Sequence, residues 1–456
     1  MLDPQIYFTG QRLEKYFLSH LLGKKGGGID NLSPQKFYEL NHDKFEEIAE
    51  RCLSGKYHFS CYRERLELKG AGKAPRILSI PSMRDRLVLG ELNEYLQDTF
   101  RKKGYSQTIP NMEIKRLKEF FRNHPKDKKI KFLKTDFHDY YGSINRELLH
   151  EKLAIDINPV VLDLINKAIA MPTIPHGTNS KDALPKEKGI PQGLSISNIL
   201  AYVYLKDFDD NVGKVGADLY IRYVDDMLFL NPKHDNMLTY LKDKISNKNL
   251  GLAFSEGKVK EGTVEDDSLD FIGYHIGHDR KISAIKKNAT NFITRLAGLT
   301  KKCLEGATDK NKRYIFCKDD DKFEKFFISE FNLRLGGFRN GNHNYGWIAY
   351  YQGIDDVSLL YAMDRVIKKR IMKRLPDTIK SKLYSLVDVY YDILDNKGSK
   401  YVIDFDAIVR PNDIRNYLND KGYETNNLSE RDLRILFRQY KSNLIRQMEL
   451  SIGRIS

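Results

Sequence analysis

The spacing of apolar residues changes several times along this chain, and each change marks a predicted element. Residues 1–70 carry a mainly helical pattern, interrupted by Gly23-Lys24-Lys25-Gly26-Gly27-Gly28, a run too rich in glycine for a helix. Leu66 to Ile80 (LELKGAGKAPRILSI) reads as two short strands around a Gly/Lys turn. Ser82 to Phe100 returns to helix, with Leu87, Leu89, Leu92 and Leu96 as its apolar positions. Lys129 to Phe137 (KIKFLKTDF) alternates as a half-buried strand. INRELLHEKLA is helical, with Ser143 or Asn145 available as its cap. Ile190 to Leu205 opens on a Pro-Gln-Gly turn and continues as an apolar helix. YIRYVDDMLFL, residues 220–230, then reads as strand, turn and strand. A helix near 234–247 follows, then an extended pair across 252–276, GLAFSEGKVKEG and LDFIGYHI. From 285 to 450 the chain is mostly helical and basic, with CKDDDKF read as a solvated loop. No internal repeat interrupts this order. The order predicts an α+β fold: a sheet with helices on one face, plus a separate helical part.

Composition narrows the class. At 456 residues the chain has room for two or three domains, and 41% hydrophobic residues make it globular rather than disordered. Against 62 acidic residues stand 76 basic ones, a formal charge of +14. Both signs are plentiful, so the excess is a bias of a folded surface. It suits a polyanion, most simply nucleic acid, with a membrane surface as the competing reading. No apolar run reaches spanning length and MLDPQIYFTG has no signal-peptide pattern, so cytoplasmic residence without a membrane is expected. Cys52, Cys61, Cys303 and Cys317 form no CxxC pair, and no nearby His completes a zinc ligand set; they read as idle thiols. Gly341-Asn342-His343-Asn344 looks superficially like an HNH nuclease but lacks the second His, and reads as a loop.

The chemistry lies in the carboxylates. Asp136 ends one predicted strand, and Asp225-Asp226 occupy the turn of a predicted hairpin. Taken singly, each is an ordinary turn or cap residue, because the Asp side chain bonds its own backbone. A sheet, however, can bring strand ends from distant positions together. Three carboxylates converging there suit Mg²⁺, which prefers carboxylate and phosphate oxygens. Two such ions about 4 Å apart activate an attacking oxygen and stabilise a leaving one.

These residues carry a family resemblance. FLKTDFHDYYGSINRELL, KGIPQGLSISNILAYVYL and YIRYVDDMLFL resemble motifs A, B and C of reverse transcriptases, in that order. KAPRILSIPSMRDRLVL resembles the fingers motifs of bacterial reverse transcriptases. GLAFSEGKVK and SLDFIGYHI resemble motif D and the primer-grip motif E, and GGGIDNLSPQKF the N-terminal extension of group II intron-like enzymes. The resemblance runs from about residue 26 to 276. It implies a right-hand polymerase fold: N-terminal extension and fingers over 1–135, palm over 136–284, helical thumb over 285–395, and a small helical extension over 396–456.

The resemblance also implies roles. Asp136, Asp225 and Asp226 would hold two Mg²⁺, or Mn²⁺ in their place, with the Phe137 carbonyl assisting. Tyr141, five positions after Asp136, would lie under the incoming sugar and exclude a 2′-OH; core packing is its plainer reading. Gln192 and Gly193 would contact the nucleotide, since a turn without Cβ lets backbone approach closely. Arg76 and one of Lys69 and Lys73 would fold over the triphosphate. Lys258 would be the general acid for pyrophosphate. Tyr223, Phe271, Gly273 and Tyr274 would position the primer end; the plainer reading of FIGY is a buried strand.

Downstream, GWIAYYQGIDDVSLLYAMDRVIKKRI resembles thumb helices of group II intron-like enzymes. Its basic face (Lys368, Lys369, Arg370, Lys373, Arg374) would track a phosphate backbone, while Trp347, Tyr350 and Tyr351 pack or stack on bases, packing being the commoner use. No zinc-ligated or HNH endonuclease, retron-type NAxxH or VTG element, or RNase H-like acidic set is apparent, and the segment from about Lys400 matches no known pattern. PQGLSISN and PRILSIPSMRDRLVL look most like defence-associated bacterial enzymes of the unknown-group and abortive-infection kinds. The resemblance thus implies an RNA-directed DNA polymerase using dNTPs and a non-coding RNA template to make DNA in antiphage defence. A homo-oligomer or a partner protein from the same operon stays open. So do two alternatives, a group II intron-like or retron-like enzyme and a non-catalytic RNA-binding, maturase-like protein. The intact Asp set and Tyr141 argue against the last, since binding alone needs no paired carboxylates.

Overall fold

The computed structural model describes residues 1–452 apart from 24–26, 69–71, 73, 102–109, 176, 179–182, 184–187, 314–318, 342 and 396–398, with 450–452 described by backbone alone. The chain divides into two units, each discontinuous in sequence: Met1–Gln107 with Lys131–Glu261, and Thr108–Ile130 with Gly262–Ser456.

In the first unit the strands are β1 (Tyr62–Glu67), β2 (Arg76–Ile80), β3 (Lys131–Asp136), β4 (Thr173–Ile174), β5 (Ala217–Tyr223), β6 (Asp226–Pro232) and β7 (Lys260–Thr263), the last lying where the chain passes to the second unit. They form two sheets, ordered β2-β1-β4 and β5-β6-β3-β7. β6 pairs antiparallel with β5 on one side and β3 on the other, which makes it an inner strand. Its Met227-Leu228-Phe229-Leu230 run is wholly buried, the continuous apolar pattern of a strand covered on both faces. The predicted fingers strands are β1 and β2, though β1 starts earlier, at Tyr62.

Some helices of this unit fall close to where the apolar spacing placed them. The one expected within Ile190–Leu205 runs instead from Ser197 to Val215, and the Pro159–Ala170 helix was not anticipated. The Met83–Arg101 helix starts behind Ser82, whose hydroxyl accepts from Asp85 N at 3.2 Å. Asn145, not Ser143, caps the Arg146–Ala154 helix, accepting from Glu147 N and Leu148 N at 2.9 and 3.1 Å. The Ser197–Val215 helix buries Leu200, Tyr204, Phe208 and Val212, each four residues after the last, and packs along β5.

In the second unit LDFIGYHI is not a single strand. It forms β8 (Leu269–Phe271) and β9 (Tyr274–Ile276), antiparallel about a turn at Ile272-Gly273, and β10 (Ile282–Ala284) completes the sheet. Both turn residues have positive φ, 42° and 83°, which a continuous strand cannot accommodate. The turn is fixed from the Trp347–Tyr351 helix, where the Tyr350 hydroxyl donates to Ile272 O at 2.7 Å and that of Tyr351 to Gly273 O at 3.1 Å. Trp347 and Tyr351 are buried, so packing describes them. The acidic stretch read as a loop instead starts a helix: Asp319 caps Asp320–Gly336, with Asp320 and Asp321 in the first turn, where carboxylates suit the helix dipole. Of GNHN, expected as a loop, Gly341 follows β11 (Phe338–Asn340), while His343 and Asn344 begin β12 (His343–Tyr345) and pair with Asn340 and Arg339; Asn342 lies outside the described residues.

The C-terminal residues share a core with the rest of the second unit. β13 (Ile403–Asp404) pairs parallel with β11, and the Pro411–Asp420 and Glu430–Ile452 helices bury Leu418, Leu433 and Phe437 in one core with Leu333, Phe338 and Phe405. Among the described residues no helix is long and apolar enough to cross a membrane, and Cys52, Cys61 and Cys303 form no disulfide.

Candidate active site

β3 carries Asp136 to one end of the four-stranded sheet, directly opposite Asp226 of β6; Tyr223 of β5 faces Asp226 from the other side. Val224 and Asp225 are therefore the two central residues of the β5–β6 turn. Two-residue hairpin loops require positive φ, a demand ordinarily met by glycine, asparagine or aspartate. Val224 meets it here, at φ 57°. A β-branched residue in that region costs about 1–3 kcal/mol and persists only where its surroundings hold it.

The holding group is Arg222. Its Nη1 donates to the Val224 carbonyl at 2.7 Å. The same guanidinium is fixed by Asp209 of the Ser197–Val215 helix: Nε donates to both carboxylate oxygens at 2.8 and 2.9 Å, and Nη2 to Oδ2. The Tyr220 hydroxyl also donates to Asp209, at 2.7 Å. Only 8% of the Arg222 side chain and 20% of that of Asp209 reach solvent. Burial opposes the Arg222 charge, but the Asp209 carboxylate more than restores it, so the pKa is raised.

Beyond β3, Ser255 N donates to Asp136 O at 2.9 Å and His138 N to Ala253 O at 2.8 Å. Phe137 is buried and stacks on Phe254, ring centres 5.1 Å apart. This pairing sets the Glu256–Lys258 turn beside the sheet end, where the Lys258 ammonium bonds Asp136 Oδ2. Asp136 is 3% exposed, and its other oxygen, Oδ1, is buried with no hydrogen-bond partner.

Burial pushes the Asp225 carboxyl up to about 6, with Asp226 and Asp136 adding to the rise and Lys258 opposing it. Asp226 is raised as well, by burial first, against the pull of Lys134. For Lys258, burial works against the charge, but Asp136 and then Asp225 and Asp226 outweigh it and raise its pKa. Among the described residues no three His, Cys, Asp or Glu side chains are drawn together as a ready ion-holding set. The three carboxylates nonetheless interact electrostatically, with Lys258 supplying the positive charge. An all-oxygen donor set with one buried, unpartnered oxygen fits a hard divalent cation.

A second group of residues lies further along the first unit. Ile190 N donates to Tyr141 O, and Gly189 N to Ile144 O, both at 2.8 Å, so the approach to the Pro-Gln-Gly turn lies on the motif-A loop. The Tyr141 hydroxyl donates to Asn198 Oδ1 at 2.7 Å, in the first turn of the Ser197–Val215 helix. The Gln192 carbonyl accepts from Ser79 N at 2.7 Å. Gly193 has φ 101°, and a Cβ there would sit 3.2 Å from Ser79 O, so both conformation and space call for glycine. A cleft of about 250 Å³ is lined by Arg76, Ser79, Asp139, Arg146, Lys188 and Gln192 among others; the three carboxylates are not in its wall.

Of the residues singled out in the sequence, Asp136, Phe137, Tyr223, Asp225, Asp226 and Lys258 thus gather at one sheet end. Arg76, Gln192 and Gly193 lie at or beside the cleft. Phe271, Gly273 and Tyr274 belong to the second unit. Lys69 and Lys73 lie outside the described residues. Sequence reasoning passed over Asn198, Asp209 and Arg222. Opposite charges at 209 and 222, inside an apolar helix and its neighbouring strand, were the available signal.

Residues 68–276 match the family model described as reverse transcriptase (RNA-dependent DNA polymerase). No curated protein matches the sequence. Among solved structures, the chain resembles apo telomerase from Candida tropicalis truncated from the C-terminal domain (16% identity, 54% of this chain and 60% of that one, TM-score 0.39). It also resembles telomerase from Candida albicans with a TWJ fragment of telomeric RNA (14% identity, 93% of this chain and 67% of that one, TM-score 0.44). Apo telomerase from Candida tropicalis gives 13% identity over 83% of this chain and 68% of that one, with TM-score 0.43. The chain thus spans 60% of the first of these telomerases, and at such values the likenesses assign no function.

Proposed function

We propose that this chain, an enzyme whose residues 68–276 form the reverse transcriptase domain of an RNA-directed DNA polymerase, copies RNA into DNA by adding dNTPs to a 3′ hydroxyl. Its α+β fold is the right-hand polymerase fold. The observation that carries the reading is the pairing of Asp136 with Asp226 across β3 and β6, with Asp225 in the adjoining turn, inside that domain.

In this reading Asp136, Asp225 and Asp226, with the Phe137 carbonyl, hold two Mg²⁺ or Mn²⁺. When bound, such ions relieve charge on the attacking and leaving oxygens of a phosphoryl transfer. Lys258, whose ammonium bonds Asp136, delivers a proton to the departing pyrophosphate. The Tyr141 ring excludes a ribose 2′-OH. Gln192 and Gly193 support the nucleotide, while Arg76, with Lys69 and Lys73, offers positive charge to its triphosphate. Tyr223, which pairs with Asp226, is read as positioning the primer end, as are Phe271, Gly273 and Tyr274 from the motif they resemble.

The resemblance of PQGLSISN and PRILSIPSMRDRLVL to defence-associated enzymes supports a role in antiphage defence, in the cytoplasm, with a non-coding RNA as template. Nucleotide incorporation by the purified chain with Mg²⁺ tests the activity against an Asp225→Ala, Asp226→Ala double variant. Incorporation of dNTPs by the parent alone is expected; equal incorporation by both overturns the catalytic assignment. Sequencing RNA that co-purifies identifies the template, and intron or unrelated cellular RNA there removes the defence reading.

A further inference from the structure

The Val224–Asp225 turn holds a residue type that disfavours the conformation it adopts. Its strained carbonyl is met by one guanidinium, and that guanidinium is bonded through Nε and Nη2 to a carboxylate on the helix following the Pro-Gln-Gly turn. This pair is largely buried, so the bonds form where water cannot replace them. Arg222 stands three residues before Asp225 and touches no candidate ligand atom.

We propose that Arg222 and Asp209 are positioning residues: the ion pair locks the strained Val224 turn and thereby sets where Asp225 presents its carboxylate to a divalent ion. The proposal rests on the reading of Asp225 as an ion ligand. Its chemistry is that of an outer shell, in which a fixed hydrogen-bond network aims a ligand it does not replace. Only a planar, forked donor can reach the Val224 carbonyl and grip Asp209 at once; the compact ammonium of a lysine cannot do both. Glycine at 224 would hold positive φ without the clamp.

The test uses the purified full chain with Arg222→Gln and Arg222→Lys, each alone and combined with Val224→Gly. Free Mn²⁺ is counted by electron paramagnetic resonance, alongside kcat for dNTP addition and thermal unfolding. Each Arg222 variant should weaken Mn²⁺ binding and lower kcat by about 10–100-fold. Adding Val224→Gly should return most of both losses, leaving thermal stability no better than in the single variant. Mn²⁺ affinity and kcat within about twofold of the parent in either Arg222 variant overturn the proposal, as do losses that glycine does not recover. Where Arg222→Gln fails to fold, Arg222→Lys decides by the same criteria. Asp225→Asn separates the two readings: if it leaves Mn²⁺ binding unchanged, Asp225 is no ligand, and the assignment beneath the proposal fails rather than the clamp.

Discussion

Lys258 binds one oxygen of Asp136 and leaves the other, Oδ1, buried without a partner. The ammonium thus places a positive charge at the carboxylates, while the proposed chemistry makes the same group a proton donor. The two roles predict opposite effects of one substitution. Lys258→Met removes a positive charge beside the carboxylates, so Mn²⁺ binding without nucleotide should tighten, by up to about tenfold. Loss of the general acid should lower kcat by about 100-fold with little change in the KM for dNTP. Weaker Mn²⁺ binding in this variant would separate Lys258 from Asp136 in solution.

Asp225 gives the site a pH dependence of definite sign. Its carboxyl titrates near 6 in the folded chain against an ordinary 3.8, because burial and neighbouring carboxylates disfavour its charge. The stability this group contributes is therefore fully present below about pH 4 and lost as pH rises through about 6. Without divalent ions, Asp225→Asn should reduce the drop in melting temperature between pH 5 and pH 7. Ion binding runs the other way, since it needs the ionised form. At pH 5 Mn²⁺ affinity should be about tenfold lower than at pH 7 from this group alone. A pH-independent Mn²⁺ affinity over that range would remove Asp225 from the ion site.

The proposed sugar selection rests on the ring of Tyr141, whose hydroxyl donates to Asn198. Tyr141→Ala should raise the kcat/KM for rNTPs relative to dNTPs by about tenfold or more. Tyr141→Phe and Asn198→Ala keep the ring but release it, and should give a smaller rise of the same sign. Unchanged discrimination in Tyr141→Ala would return the residue to plain packing.

The C-terminal helices predict a stability effect far from the chemistry. Leu418 is fully buried in the core that contains Phe338 and Phe405. Leu418→Ala should cost about 2–5 kcal/mol, and amide hydrogens from Phe338 to Tyr345 should exchange faster. Unaltered protection there would show that the shared core does not stabilise β11 and β12.

Much of this architecture was legible where a segment's neighbours lie close in sequence or its pattern is long. The β1–β2 hairpin, the Met83–Arg101 helix and the buried MLFL strand follow from spacing alone. What escaped was decided by distant contacts. The Ile272-Gly273 turn depends on hydroxyls from Tyr350 and Tyr351, nearly eighty positions away, so FIGY gave no local sign of reversing. Asp319 to Asp321 looked like a solvated run because their use at a helix start shows only once the following apolar face has a core to meet. Asp136, Asp225 and Asp226 could be named from strand ends and motif order. The Asp209–Arg222 pair left only the weak signal of two opposite charges among apolar neighbours, and neither charge is explained until helix and strand are side by side.

The parallel pairing of β13 with β11 bears on how the chain is made. Phe338 leaves the ribosome well before Phe405 and Leu418, yet all three bury one another in one core. The first unit holds no residue beyond Glu261, and the last strand of its sheet, β7, ends at Thr263. The region around Phe338 must instead wait, with apolar surface uncovered, until residues near 448 have been synthesised. For that interval the nascent chain carries a finished four-stranded sheet and an unfinished second unit, which makes the second half the natural client of a chaperone.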